Sequence, residues 1–243
     1  MRAYYDLHIH SCLSPCADND MTPNNIVNMA KLANLTMIAL TDHNSTKNCK
    51  AAVEIGKKVG VLVIPGMELC TIEEVHVVCL FPTIEKAETF EAALSKKRIR
   101  VKNRPEIFGD QIIMDEFDRE IGREEFLLIN AINISIGEVT RLVKEYAGAA
   151  FPAHIDKGSY SVLSSLGEIP PEAEFKTVEI FRKQNVEKLL KEHKNLSEMN
   201  ILFNSDAHTL GQIGEKEASV FLDEISIEAL LAKMNGRKTG ETA

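Results

Sequence analysis

The chain has 243 residues, 44% of them hydrophobic, enough for one large buried core. Its formal charge of −8 argues against coating long nucleic acid, which needs a basic surface; it leaves room for a phosphate substrate drawn in by bound divalent ions. Five cysteines (Cys12, Cys16, Cys49, Cys70 and Cys79) lack disulfide-framework spacing, and no apolar run reaches membrane-spanning length. With no room for a signal peptide before the first motif, the expected location is the cytoplasm, away from membranes.

Tyr4 to Ser11 reads as a strand on which His8 and His10 share a face, because strand side chains alternate. A loop from Ser14 to Met21 leads to Thr22-Pro23, an N-cap followed by proline at the first helical position, and to an amphipathic helix carrying Ile26, Met29, Ala30 and Ala33. Thr36 to Leu40 is a short apolar run that suits a strand buried on both faces and ends at Asp42 and His43. A helix over Thr46 to Val59 stops at Gly60. Val61 to Pro65 is the next strand, running into Gly66-Met67-Glu68, and Glu74 to Phe81, with His76, is the fourth. Ile84, Ala87, Phe90 and Leu94 mark the helix after it.

Between Ser95 and Gly137 the rhythm fails and charges cluster, so residues 95–137 read as an inserted, mostly helical subdomain. It divides a barrel made of 1–94 and 138–243. Beyond it, Val139, Leu142, Val143 and Tyr146 lie on one helix face, and Ala149 to Ala153 is a strand ending at His154. Thr177 to Phe181 and Asn200 to Phe203 are two more strands, separated by a helix with Val186, Leu189 and Leu190 inward. His193 continues that helix and is assigned structure only. The last helix starts at Ser226 and stops at Asn235-Gly236. Strands alternating with helices predict an α/β fold with a parallel sheet. Six or seven units that end in polar residues predict a barrel with its site at one mouth.

Six of the seven histidines fall in those strand-end segments: His8, His10, His43, His76, His154 and His208. With Glu68, Asp206 and a first-loop acid, they suit zinc, manganese or ferrous iron better than calcium or magnesium. Nine ligands exceed the need of one open site, and shared carboxylates would let them hold two or three ions.

Asp6-Leu7-His8-Ile9-His10-Ser11 resembles the opening motif of the PHP (polymerase and histidinol phosphatase) family. Thr41-Asp42-His43, Gly66-Met67-Glu68 with His76, Pro152-Ala153-His154 and Ser205-Asp206-Ala207-His208 are similar to its later motifs. The resemblance covers the chain outside 95–137. It implies a distorted seven-stranded, TIM-like barrel with a trinuclear metal centre that hydrolyses phosphoesters. It also implies that one ion takes His8, His10, Glu68 and Asp206, and that a second shares Glu68 and adds His76 and His154. A third takes His43, His208 and a loop acid. Asp18 stands at the family's position four residues before Thr22, but the loop before it is longer than usual, so Cys16 and Asp20 remain alternatives.

Glu68, Asp206 and His208 are the candidate catalytic residues. Lys157, three residues after His154, is placed to meet a substrate phosphate, and Arg104, Arg123 and Arg182 are weaker substrate candidates. Asp42 could orient an imidazole or cap a helix. The expected substrate is a small phosphorylated metabolite or nucleotide. Exonuclease-like action on short nucleic acid (3'-5' or 5'-3'), a metal-dependent amidohydrolase and a non-catalytic metal-binding module are the alternatives.

Overall fold

A computed structural model describes residues 1–214 and 218–237. In chain order the elements are β1 (Arg2–Ile9), α1 (Pro23–Leu32), β2 (Met37–Leu40), α2 (Cys49–Val59), β3 (Leu62–Cys70), β4 (His76–Leu80) and α3 (Ile84–Leu94). After them come α4 (Pro105–Phe108), β5 (Ile112–Met114), β6 (Glu120–Arg123), α5 (Ile136–Glu145), β7 (Ala149–Pro152) and α6 (Val162–Leu166). The chain continues through β8 (Thr177–Glu179), α7 (Val186–Glu192), β9 (Asn200–Leu202), β10 (Ala218–Phe221) and α8 (Ile227–Met234).

The expected caps form as the residue types demand. Thr22 accepts from Asn25 N with Pro23 behind it, Gly60 ends α2 at φ +77°, and Ser226 accepts from Ala229 N at the start of α8. His193 follows the last residue of α7.

The main sheet runs β10-β1-β2-β3-β4-β7. β1, β2 and β3 are parallel, but β4 is antiparallel to both β3 and β7, and β10 is antiparallel to β1. The expected all-parallel sheet is corrected here. Residues 71–75 are too few for a crossover, so β4 can only turn back on β3. His76 consequently opens its strand, whereas Glu68 lies toward the end of β3.

β8 and β9 form a separate parallel pair. Ile155 N donates to Glu179 O at 2.9 Å on one side of that pair, and His10 N to Ala207 O at 2.9 Å on the other. These contacts carry the curved sheet round through β8 and β9 to β1, a ring of seven strands, closed irregularly, with β10 as an added edge. Along β2, Met37 and Ala39 pack in one apolar cluster with Leu230 and Leu231 of α8; Ile38 and Leu40 pack in another with Ile26 of α1 and Ile55 of α2. That alternation buries both faces of the sheet.

The helical reading of 95–137 is also corrected. The segment holds a 3-10 turn at Ser95–Lys97, the four-residue α4 and the antiparallel hairpin β5–β6. Asp115 and Arg119, spaced like a helical ion pair, instead close the hairpin. Asp115 Oδ1 accepts from the backbone N–H of Phe117 and Arg119, and Asp118 adopts φ +57°. The segment lies directly on the first two rim loops. Ile112 N donates to Cys12 O at 2.8 Å, Met114 N to Asn48 Oδ1 at 2.9 Å, and Asn44 Nδ2 to Leu128 O at 2.7 Å. No helix among the described residues is long and apolar enough to cross a membrane.

Candidate metal centre

Glu68 is 1% exposed and lies among five imidazoles. Its Oε1 is 3.1 Å from His8 Nε2, 3.0 Å from His76 Nδ1 and 3.2 Å from His154 Nε2. Its Oε2 is 3.0 Å from His43 Nδ1 and 3.4 Å from His10 Nε2. Asp206 Oδ1 lies 3.4 Å from His8 Nε2, 3.3 Å from His10 Nε2 and 3.7 Å from His208 Nδ1. Three sets of ligand atoms converge within 4.8 Å: His8, His10 and Glu68; His43, Glu68 and His76; His10, His43 and His208. Segments far apart in sequence meet here because parallel strands feed one end of the ring and β4 enters that end from the opposite direction.

The supporting groups fix which ring nitrogen is free. Glu179 accepts from His8 Nδ1 at 3.0 Å, leaving Nε2 to face Glu68 and Asp206. Glu179 also accepts from His154 N at 2.9 Å and Asn204 Nδ2 at 2.7 Å. Ser14 Oγ lies 3.0 Å from His10 Nδ1 and donates to Asp42 at 2.7 Å, while Ser11 N and Oγ donate to the same carboxylate. Asp42 therefore steadies His10 through Ser14, and it does not touch His43 directly among these bonds. His208 Nδ1 lies 2.8 Å from Asp206 O. His154 and Asp206 both sit at positive φ, +30° and +52°, as does Asn44 at +50°. Side-chain residues rarely adopt this backbone region, and such strain concentrates at functional sites.

Burial works against every charge in the cluster, and the charges answer one another. Although desolvation opposes it, Glu179, Glu68 and Asp206 hold His8 well above the ordinary histidine value. Burial together with His208 and His43 pushes His10 well below it. The surrounding imidazoles, His76 and His8 foremost, overcome burial and keep Glu68 well below the usual carboxylate range. Two buried nitrogens, His43 Nδ1 and His154 Nδ1, make no hydrogen bond, the first despite lying 3.0 Å from Glu68 Oε2. Buried polar atoms ordinarily find partners. Converging imidazoles and carboxylates with orphaned nitrogens among them fit divalent zinc, manganese or iron.

The remaining expected residues are placed unevenly. Lys157 reaches the rim: its Nζ pairs with Asp206 and stands 4.4 Å from the centre of the Phe181 ring. Arg123 is engaged by Asp110 and Glu120, Arg104 lies over Phe108, and Arg182 is exposed with its backbone N–H on Asp156. Asp18 is exposed and joins none of the three converging sets among the described residues; its N–H donates to His208 O at 3.0 Å.

Cys16 is exposed and, like Asp18, joins none of the three converging sets among the described residues. Packing around the sulfur opposes ionisation, and the nearby His208 and His43 overcome it, drawing the thiol down to about 6. Sequence reasoning missed Glu179. The available signal was a carboxylate between Val178 and Ile180 in a strand buried throughout, a place acids occupy only when paired. Beside the centre, a cavity of about 590 Å³ opens between α3 and the 95–137 segment, lined by Asn44, Lys47, Arg98, Phe126 and Asn130 among others.

Comparison with known proteins agrees with this geometry. Over 117 residues the chain is 33% identical to a 5'-3' exoribonuclease of Haemophilus influenzae, a stretch covering 46% of this chain and 40% of that protein. The fold is similar to that of the lesion-specific endonuclease PfuEndoQ from Pyrococcus furiosus, with a TM-score of 0.69 at 18% identity, covering 97% of this chain and 56% of the other. It is similar too to a Bifidobacterium adolescentis protein assigned as a metal-dependent phosphoesterase, at TM-score 0.64 and 18% identity over 96% of each chain. This chain thus spans about half the length of the exoribonuclease and the endonuclease. The PHP domain model matches residues 6–208, a range holding Glu68, Asp206 and all six rim histidines, and the chain belongs to the PHP domain family.

Proposed function

We propose that this chain hydrolyses phosphoester bonds in a small phosphorylated metabolite or nucleotide, using two or three divalent ions. The observation that carries the reading is Glu68, a single buried carboxylate with five histidines within 3.4 Å of its two oxygens. Divalent ions in such a site supply activated water near neutral pH and neutralise charge on the phosphoryl oxygens. His8, His10, Glu68 and Asp206 would hold one ion, Glu68, His76 and His154 a second, and His43 and His208 a third.

The other side chains keep the ligands in register. Glu179 retains the proton on His8 Nδ1, so Nε2 presents its lone pair inward. Ser14, itself donating to Asp42, accepts the proton of His10 Nδ1 in the same sense. Lys157 Nζ, on the Asp206 side, is placed to exchange its carboxylate partner for a substrate phosphate oxygen. The 95–137 segment and the cavity beside it would receive the leaving group.

Removal of terminal nucleotides from short nucleic acid is a second reading, favoured by the 33% identity to an exoribonuclease. An amidohydrolase would use similar ligands. One experiment separates these: phosphate and nucleotide release by chelator-stripped protein resupplied with manganese or zinc. The substrates would be sugar phosphates, nucleoside bisphosphates, short oligonucleotides and amides. Metal-restored phosphate release is expected. Turnover of amides alone, or no metal dependence, would overturn the proposal.

A further inference from the structure

Six of the nine residues from Lys96 to Arg104 are basic and none is acidic, in a chain whose formal charge is −8. Acids later in the segment are spent on other bases: Asp115 pairs with Arg119, Asp110 and Glu120 with Arg123, and Glu124 with Lys47. Within the basic run, Arg98 meets Glu91 and Lys102 meets Glu125. Lys96, Arg100 and Arg104 are exposed and pair with no acid among the described residues.

The run is extended. Asn103 N donates to Glu125 O at 2.9 Å and Leu127 N to Val101 O at 2.8 Å, with Lys102 opposite Phe126 and Arg98 opposite Ile132. Side chains two apart on extended backbone share a face, so Arg98, Arg100 and Lys102 form a row. Arg100 accordingly lies over Phe126, its guanidinium 5.6 Å from the ring centre. Arg104 continues the run, 5.9 Å from the centre of the Phe108 ring.

One end of the row is at the rim. Arg98 donates to Asn44 O, and Asn44 follows His43 in the chain and gives its N–H to Glu68 O at 2.9 Å. From Arg98 to Arg104 extended backbone covers roughly 20 Å, more than one mononucleotide or sugar phosphate can span. A ligand that uses the whole row carries anionic groups at intervals while one of its esters sits at the centre. Guanidinium planes lying on aromatic rings also offer flat faces on which bases stack. The acidic surface elsewhere disfavours the broad footprint of a duplex.

We propose that the strand from Arg98 to Arg104 is a track for single-stranded nucleic acid, on which Arg100 and Arg104 hold phosphates beyond the one bound at the rim. This rests on the phosphoester reading given above and narrows its substrate to a short single strand.

The test titrates the metal-loaded full chain with a labelled phosphorothioate oligoadenylate of about eight nucleotides, followed by fluorescence anisotropy over a salt series. Each phosphate contact contributes about −0.7 to the slope of log affinity against log salt. Arg100→Gln and Arg104→Gln should each weaken binding several-fold and make that slope shallower by about 0.7. Lys188→Gln, which removes an exposed base on α7, should change neither. Arg100→Lys should restore the slope without the full affinity, because it returns the charge but not the flat face. Both side chains are exposed, so neither variant opens the core.

The ratio of kcat/KM for the ordinary octamer to that for a dinucleotide should fall about tenfold in the double Gln variant. Wild-type affinity and slope in that variant overturn the proposal. So does a polyglutamate peptide that competes as well as unlabelled oligoadenylate, or a duplex bound as tightly as the single strand. If metal-loaded wild type cleaves neither the dinucleotide nor the octamer, the phosphoester reading itself falls, a result seen separately from the titration.

Discussion

At the strand ends around Glu68, buried imidazoles and carboxylates are held by strands and by one another. Between residues 95 and 137, by contrast, most charged side chains face solvent, and Ile99, Val101, Ile107, Phe117 and Ile121 are roughly half exposed or more. The rim gains its order from a closed ring of strands. The segment borrows its order by hydrogen-bonding to rim loops through Asn44, Asn48 and the Cys12 backbone. Chemistry needs positions held to a fraction of an ångström, and rigid strands provide that; a loop-rich cover can vary without disturbing them. The contrast implies that changes at the rim act on metal and turnover together, whereas changes in the segment act on substrate.

The largest effect is expected at Glu68. In Glu68→Ala the carboxylate shared by two of the converging sets is gone, and five histidines lose their common partner. Turnover should fall by on the order of 10³-fold or more, about 4 kcal/mol of transition-state stabilisation, with loss of bound metal. Metal content and phosphate release measured on the same preparation check this. A variant that keeps the wild-type rate would show that the rim is not where catalysis occurs.

Glu179→Gln should be the next in size. The amide can still accept from one donor, but its NH₂ end must face His8 Nδ1, His154 N or Asn204 Nδ2, all of them donors in the present arrangement. Metal affinity should fall by about 10–100-fold, the usual cost of losing a partner behind a ligand. Titration of stripped protein with zinc measures it. An unchanged affinity would mean that His8 is held by strand geometry alone.

The contrast also explains what the sequence could disclose. Metal-binding residue types are few and polar, so six histidines recurring at the ends of apolar runs stood out. The strands did too, because runs such as Met37–Leu40 are buried on both faces. Strand direction was hidden: β4 is as apolar as a parallel strand, and only the short link from Cys70 to His76 betrays its reversal. The register of β1 shifts between Asp6 and Ile9, so simple alternation was an incomplete reason for His8 and His10 to meet. In 95–137 there is little core to impose a period, and acid-base spacing that suits a helix suits a hairpin turn equally. Which of Asp18, Cys16 and Asp20 reaches the rim depends on how the first loop coils, which residue spacing does not encode.

The smallest effect, and the one that best probes the contrast, is expected where the two regions touch. Gly109 has φ +98°, and a Cβ built on it would lie 2.1 Å from the carbonyl oxygen of Pro15, a backbone atom that cannot swing aside. Gly109→Ala should therefore push the segment off the first loop, at a cost of about 1–3 kcal/mol in thermal stability. Because Glu68, Glu179 and the strands are untouched, kcat on a small ester should change little while KM for the preferred substrate rises several-fold. Steady-state kinetics on both substrates, with metal content measured alongside, read the two effects separately. A fall in bound metal equal to the fall in activity would show that the segment holds the first loop in place for the centre. The division between rigid chemistry and variable cover would then give way to a single cooperative unit.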